Sequence, residues 1–199
     1  MTDSTTRAIH TMSVPEEPLD RTTRLLHLGL AVFGVWAWWI GDGAGDYKRV
    51  AHPGYTQHMW VGIAFTAFLF ARIVWGLVGP ESARFTNWVP WNASRFRAVI
   101  EDLRMLLRFR VPDRSSHLGL AGLVQALGLL AFMWLGSSGL VLALTIMPGA
   151  PVTGWVHAIK ELHEIGKVLV PVYLILHVGA VALHAIAGKP IWKKMLFLD

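Results

Sequence analysis

The chain contains no cysteine among its 199 residues. Without thiols it can form neither disulfide bonds nor the thiolate sites that hold structural zinc and iron–sulfur clusters. It also cannot attach a c-type haem, because that covalent link requires a Cys-x-x-Cys-His motif. Any redox metal must therefore be held by histidine, methionine or carboxylate side chains, and the sequence contains nine histidines.

Charged residues are also scarce. They make up 16% of the chain against 54% hydrophobic residues, whereas soluble domains carry about a quarter charged residues. The apolar residues form long runs that predict membrane spans near 22–40, 57–78, 117–147 and 162–186. The sequence thus predicts an all-α membrane protein, a four-helix transmembrane bundle over residues 21–195. A flexible cytoplasmic tail is predicted over residues 1–20, and the first run is predicted to be a retained helix rather than a cleaved signal.

Residues 91–110, between the second and third runs, repeat apolar side chains at helical spacing and place arginines at many of the other positions. This pattern predicts an interfacial amphipathic helix in the lipid headgroup layer. A nucleic-acid-binding helix has a similar composition, but a position between two membrane spans argues against a nucleic-acid partner.

The distribution of lysine and arginine predicts the orientation of the spans. Thirteen of them lie in residues 1–24, in residues 79–116 and after residue 187, whereas three lie in residues 41–57 and 148–162. Because loops rich in lysine and arginine stay in the cytoplasm, both termini and the long connection are predicted to be cytoplasmic.

Four histidines lie within or at the edge of the predicted spans, where an ionisable side chain is costly and usually functional. They are His27 in the first span, His58 in the second, and His163 and His177 in the fourth. The last two are fourteen residues apart, which is close to four helical turns, so both face nearly the same way about 21 Å apart along the axis. That distance is too long for one metal centre and suits two centres stacked across the bilayer.

The direction in which each span crosses the membrane predicts the depth of its histidine, and the four histidines can be paired by depth. The second and fourth spans begin on the outer side, which places His58 and His163 near the outer surface, whereas the first begins inside and brings His27 to the depth of His177. Each pair is predicted to hold the iron of one non-covalent haem b between two imidazoles. With both axial positions closed, such a haem carries electrons and leaves no open site for oxygen or substrate.

Other interpretations of the histidines stay open at this point. A single histidine in a span is often a hydrogen-bond partner between helices, and His184 is an alternative to His177. The remaining histidines are predicted to face solvent or to cap helices: His10, His52, His117 and His157. An iron-bound imidazole also needs an acceptor for its second nitrogen, and backbone carbonyls one helical turn earlier are the candidates.

Basic and small residues complete the predicted sites. Arg24, Arg72 and Lys167 lie near span ends and are candidate partners of the anionic haem propionates, although anchoring at the interface explains each of them equally well. Glycines near the predicted ligands would make room for a flat macrocycle: Gly29, Gly34, Gly62, Gly166 and Gly179.

Several motifs resemble the bacterial cytochrome b561 family, which includes the b-type cytochrome subunit of membrane nickel–iron hydrogenases. The matching segments are Arg24-Leu-Leu-His27, His58-Met-Trp-Val-Gly62, Arg72-Ile-Val-Trp-Gly-Leu-Val-Gly-Pro80 with Ala83-Arg84-Phe85, and Leu162-His163-Glu164 followed by Leu176-His177. The resemblance covers about residues 20–195. It implies a four-helix core in the bacterial inner membrane and two haem b groups with His27, His58, His163 and His177 as ligands. Leu28, where many relatives have Trp, and Ser116-His117-Leu118-Gly119 depart from the family pattern and leave the subgroup open.

The resemblance further implies electron exchange between a quinone or quinol and a partner redox protein, such as a hydrogenase-like enzyme or a cytochrome, within membrane lipid. It specifies neither the direction of electron flow nor whether the chain forms a homodimer. Two alternatives are a passive membrane-anchor subunit, which would not need paired histidines, and a His-lined metal or proton transporter. A transporter would need carboxylates in mid-span, and the spans contain almost none, since Glu164 lies near the outer edge.

Overall fold

The computed structural model describes residues 20–112, 118–189 and 192–198, and the regular structure within them is helical. In chain order the α-helices are α1 Arg21–Trp39, α2 Pro53–Val78, α3 Phe85–Trp88, α4 Ala93–Leu107, α5 Leu120–Thr145, α6 Gly154–Glu164, α7 Gly166–Ile186 and α8 Trp192–Met195. A 3₁₀ helix, Gly41–Lys48, follows α1. The predicted tail of residues 1–20, apart from Asp20, lies outside the described residues.

Three helical stretches of the described chain are long and apolar enough to cross a membrane: α2, α5 and the 33-residue stretch Gly154–Ile186 that α6 and α7 form together. A fourth candidate is α1 with the 3₁₀ helix, which are bent by 52° relative to each other. The predicted all-helical membrane architecture is confirmed. The described residues hold three spans, or four when the bent pair counts as one.

Two helices begin earlier than the apolar runs predicted. The fourth span was predicted from residue 162, but its helical stretch begins at Gly154. The turns that the prediction missed carry charged side chains, among them Lys160, which pairs with Glu161 and Glu164, and these charges lower the local hydropathy. The stretch is interrupted at Ile165, where α6 ends and α7 begins.

The second span begins at Pro53 rather than at residue 57. Proline suits the first helical position because the N–H it lacks would have no partner inside the helix. The next two N–H groups, of Gly54 and Tyr55, donate to the Asp46 carboxylate at 2.9 and 2.8 Å. Asp46 belongs to the 3₁₀ helix, so this cap fixes the connection between α1 and α2.

Small residues bring the long helices close together. Gly136 of α5 packs against Thr66 and Leu69 of α2, and Gly29 of α1 packs beneath the Phe68 ring of α2. Outside these contacts, many large apolar side chains of the described residues are exposed, including Trp39, Phe70, Leu144, Ile175 and Ile186. An apolar outer surface around a closely packed interior is the arrangement expected of helices surrounded by lipid.

The predicted amphipathic helix of residues 91–110 is present as α4. The side chain of Asn92 caps it by accepting a hydrogen bond from the Arg95 N–H at 3.0 Å. Its buried Asp102 accepts a hydrogen bond from the N–H of Leu120, the first residue of α5, at 2.9 Å. The other face of α4 leaves apolar side chains exposed: Phe96, Ile100, Leu103 and Leu107. This exposed apolar face suits a helix that lies on the membrane surface.

Candidate functional site

The first histidine pair consists of His58 and His163. His58 lies in the second turn of α2, and His163 lies at the end of α6. Their ring centroids are 6.1 Å apart, and the planes are inclined by 79°. The fold therefore brings together two residues that are more than a hundred positions apart in the sequence and that span depth alone had matched.

The second histidine pair consists of His27 in α1 and His177 in α7. Their ring centroids are 6.2 Å apart with an interplanar angle of 42°. The ring of Tyr173, one turn before His177, stacks on it at 5.4 Å and 13°. Tyr173 lies directly on Gly128 of α5, where a Cβ atom would collide with the phenol ring. Gly128 thus gives Tyr173 the space in which it supports His177.

The ring of His58 is oriented by α1. Its Nδ1–H donates to the carbonyl oxygen of Ala37 at 3.0 Å. Ala37 lies in the last turn of α1, where carbonyl groups have no partner within the helix. With Nδ1 protonated, the lone pair of Nε2 is left free to bind a metal ion.

The ring of His163 is oriented by α5. Its Nδ1 lies 2.9 Å from the hydroxyl oxygen of Ser138. The Ser138 hydroxyl donates its own proton to the carbonyl of Trp134 at 2.7 Å, so its oxygen accepts from His163 Nδ1–H, and Nε2 again stays free. The expectation of acceptors one turn earlier in the same helix was wrong for both histidines. Within a helix those carbonyls already accept ladder hydrogen bonds, whereas a helix end and a serine hydroxyl have acceptor capacity to spare.

A cavity of about 230 Å³ surrounds the first pair and is lined mostly by apolar residues of α1, α2, α5 and α7. Gly34, Gly62 and Gly166 line it, as the sequence predicted for glycines near the ligands. A Cβ atom on Gly62 would meet nothing within 4 Å. Gly29 and Gly166 instead receive neighbouring side chains, Phe68 and Leu135 respectively. Gly62, four residues after His58 and on the same face of α2, is thus the glycine that leaves open space beside the rings.

The three predicted propionate partners divide between the two pairs. Lys167 lines the cavity of the first pair and forms ion pairs with Asp42 at 3.3 Å and Glu164 at 3.7 Å. Arg24 is buried three residues before His27, and its guanidinium lies 5.2 Å from the centre of the Phe197 ring. This cation–π contact holds the Arg24 charge at the end of the bundle nearest to the second pair.

Arg72 also lies towards the second pair. It is one turn before Trp75, whose indole donates to Thr23 of α1 at 3.2 Å. Its guanidinium lies over the rings of Phe85 and Trp88 at 5.2 and 5.9 Å, and its buried Nη1 has no hydrogen-bond partner among the residues that the structure describes. Because a buried guanidinium donor without an acceptor is costly, this nitrogen is suited to an anionic ligand.

The other histidines of the described chain form no comparable pair. His184 lies in the last turn of α7, His52 bonds the Val50 carbonyl through Nδ1 at 2.9 Å, and His157 lies 3.6 Å from Glu161. His10 and His117 lie outside the described residues. Within the parts of the chain that the structure describes, no three His, Asp or Glu side chains converge where a metal ion could be held.

Ser138 and Ala37 are the functional residues that sequence reasoning missed. Ser138 belongs to the segment Gly136-Ser137-Ser138-Gly139, whose small residues indicate only close helix packing. Nothing in the sequence distinguishes Ser138 from Ser137, although one is buried against His163 and the other is exposed. Ala37 acts through its carbonyl, which carries no sequence signal at all.

Comparison with known proteins identifies the family of the chain. Residues 19–197 match the family model described as prokaryotic cytochrome b561. The chain belongs to the prokaryotic cytochrome b561 family. It is therefore a multi-pass membrane cytochrome that binds b-type haem and takes part in electron transfer. No curated protein and no solved structure matches the chain.

Proposed function

We propose that this cytochrome b561 holds two haem b groups, one between His58 and His163 and one between His27 and His177. Through them it carries electrons across the bacterial inner membrane between the quinone pool and a partner redox protein. The first pair lies on the outer side and the second on the cytoplasmic side, with both termini in the cytoplasm. The excess of lysine and arginine in the terminal segments and in the α2–α5 connection supports this orientation.

The separation of the rings is the observation that carries the proposal. Two imidazoles on opposite sides of one metal ion, each bonded at about 2.0 Å, place their ring centres about 6 Å apart. The observed separations are 6.1 and 6.2 Å. Histidines that only hydrogen-bond across helices have no reason to reach this spacing twice, so it favours electron transfer over a passive anchor.

The surrounding residues support ligation by imidazole. Ser138 and the Ala37 carbonyl hold His163 and His58 with Nε2 free, and Tyr173 packs along the plane of His177. Bound haem supplies one-electron exchange between ferric and ferrous iron. The segment between the pairs is aromatic: Phe132 contacts Phe65 at 5.5 Å and Tyr173 at 5.0 Å between ring centroids. These side chains exclude water and keep the interior between the two sites rigid.

The basic residues are proposed to bind haem propionates. Lys167 would bind a propionate of the haem at the first pair, whose cavity it lines. Arg24 and Arg72 would bind those of the haem at the second pair. The unpartnered Nη1 of Arg72 is the strongest support for this assignment, because a carboxylate would supply the missing acceptor.

The direct test is the haem content and reducibility of the protein purified from haem-replete cells. We expect two haem b per chain, measured as pyridine haemochrome, and two components in a redox titration. Addition of a quinol to the anaerobic protein should reduce the haems. A colourless preparation would overturn the whole proposal, one haem per chain would overturn the two-site arrangement, and inertness to quinols would overturn the quinone link.

Exchanging Gly62 for alanine tests whether the open space of the cavity is the haem site. Apart from its chain neighbours and the backbone of α2 itself, the added methyl group meets no atom of the described residues within 4 Å, so the polypeptide should tolerate it. Crowding a bound group typically costs about 1–3 kcal/mol, so we expect Gly62→Ala to release haem from the first pair about tenfold faster or more. The measurement is the rate of haem transfer to an excess of apomyoglobin.

The matched control for this variant is Gly179→Ala. A Cβ atom there also meets nothing within 4 Å, but Gly179 is two residues from His177 and therefore about 200° around α7 from it. It should retain haem as the wild type does. Equal haem loss from the two variants would show that the effect comes from α-helix substitution and not from the cavity.

A further inference from the structure

Tyr55 carries a buried hydroxyl that the proposed function leaves without a role. The side chain is 8% exposed, and none of the described residues forms a hydrogen bond with its Oη. Within the described residues, the other fully buried side-chain N or O atom without a partner is Nη1 of Arg72. Both atoms are hydrogen-bond donors, but only Tyr55 lines the cavity of a histidine pair, whereas Arg72 packs over Phe85 and Trp88. A buried donor is costly unless an acceptor occupies the space beside it.

Tyr55 is held rigidly at the rim of the first cavity. It lies one turn before His58 at the start of α2, and both residues line that cavity. Its N–H is fixed by Asp46 at 2.8 Å. Its ring packs against the rings of Tyr47 and His52 at 6.3 and 6.2 Å. The hydroxyl is therefore a donor whose position is set before any ligand arrives.

The charged groups beside the cavity are already paired with one another. Lys167 contacts Asp42 and Glu164, and Lys160 contacts Glu161 and Glu164. A further anion entering the cavity would share these cations with carboxylates that already use them. The Tyr55 hydroxyl does not have this competition, since no acceptor in the described part of the chain contacts it.

Building on the two-haem function proposed above, we infer that the Tyr55 hydroxyl donates a hydrogen bond to a propionate carboxylate of the haem at the first pair. This bond withdraws negative charge from the carboxylate and thereby favours the ferrous iron. A short O–H···O⁻ bond of this kind is stronger than a bond between neutral groups. Tyr55 is thus a positioning residue that also adjusts the redox equilibrium of one haem.

The test is a redox titration of the full-length Tyr55→Phe protein, which loses only the hydroxyl. We expect two haems to be retained and the ferric–ferrous equilibrium of one haem to move about three- to tenfold towards ferric. A tenfold change corresponds to about 59 mV for one electron. The affected haem should be the one that the His163→Ala variant loses. Thr56→Val removes the hydroxyl of the adjacent residue, which does not line the cavity, and should leave both haems unchanged.

Two arms identify the acceptor. The apoproteins of wild type and Tyr55→Phe are each reconstituted with haem whose carboxylates are methyl esters, in quinone-free detergent. The difference between the two proteins should then shrink to less than half of its value with native haem. A difference that persists with the ester, or that appears only when quinone is added, would overturn the inference in favour of another acceptor.

The inference and the two-haem proposal fail in different ways. Wild-type protein with two haems and a Tyr55→Phe protein with unchanged potentials would overturn only the inference, whereas a haem-poor wild type would overturn the proposed function. If Tyr55→Phe does not fold, wild-type protein with isotope-labelled tyrosine replaces it. Its reduced-minus-oxidised infrared spectrum should contain a tyrosine C–O band with native haem and lack that band with the ester, and identical spectra would refute the bond.

Discussion

Replacing His163 by alanine is expected to leave the protein with one haem per chain, and replacing His177 should do the same for the other haem. In the proposed arrangement each imidazole, 6.1 or 6.2 Å from its partner ring, is one of the two ligands of one haem iron, so its removal takes away one of the two iron–imidazole bonds that retain the non-covalent haem. The two variants should lose different components of the redox titration. His58→Ala should match His163→Ala, and His27→Ala should match His177→Ala. Haem content and titration of the four purified variants are the measurements.

His184→Ala and His157→Ala are the controls for these variants. Both histidines lie on the same helical stretch as the proposed ligands, but neither has another histidine ring as a partner in the described structure. They should retain both haems. If His184→Ala lost a haem and His177→Ala did not, the second pair would be assigned incorrectly. If all four single variants retained both haems, these histidines would not be the haem ligands, and both proposed pairs would be wrong.

The pairing of the histidines could be predicted from the sequence because two simple regularities determine it. The rise of an α-helix fixes the distance between His163 and His177, and the alternation of span direction fixes which residues of other helices share their depths. Both predicted pairs lie together in the fold. Neither regularity depends on how side chains pack.

The groups that orient the rings could not be predicted in the same way. Ser138 reaches His163 across a helix interface, and the Ala37 carbonyl is available only because α1 ends near it. The open side of Gly62 and the unpartnered hydroxyl of Tyr55 depend on what surrounds them and not on their identity. Such features follow from the packing of four helices, which a single sequence does not specify.

The same difference explains the helix boundaries. Hydropathy located the apolar centre of each span, but the start of α2 depends on the Asp46 cap and Pro53. The start of the fourth span is polar because α6 contains Lys160, which forms ion pairs with Glu161 and Glu164. The ends of a helix that extend beyond its apolar centre are stabilised by capping and ion pairs, so hydropathy underestimates the length of the helix.

Exchanging Ser138 for alanine is expected to weaken haem binding at the first pair by about 10- to 100-fold, the usual effect of removing a partner that orients a metal-ligating histidine. Ser138 receives the Nδ1–H of His163 at 2.9 Å. Without this acceptor, the ring keeps only its backbone hydrogen bond with Leu135 and is held less firmly. The orientation of the His58 ring should be less sensitive to substitution of its partner residue, because the acceptor is the backbone carbonyl of Ala37, which no side-chain substitution removes. Haem transfer to apomyoglobin measures the loss.

The adjacent residue provides a matched control for Ser138→Ala. Ser137 has the same side chain on the same helix, but it is exposed, so Ser137→Ala changes helix propensity equally without touching His163. We expect Ser137→Ala to retain both haems at the wild-type rate, and Ser138→Ala to lose only the haem that His163→Ala loses. Equal behaviour of the two serine variants would mean that the Ser138 hydroxyl does not orient the ligand. If Ser138→Ala lost the other haem instead, the assignment of His163 to the first pair would be wrong.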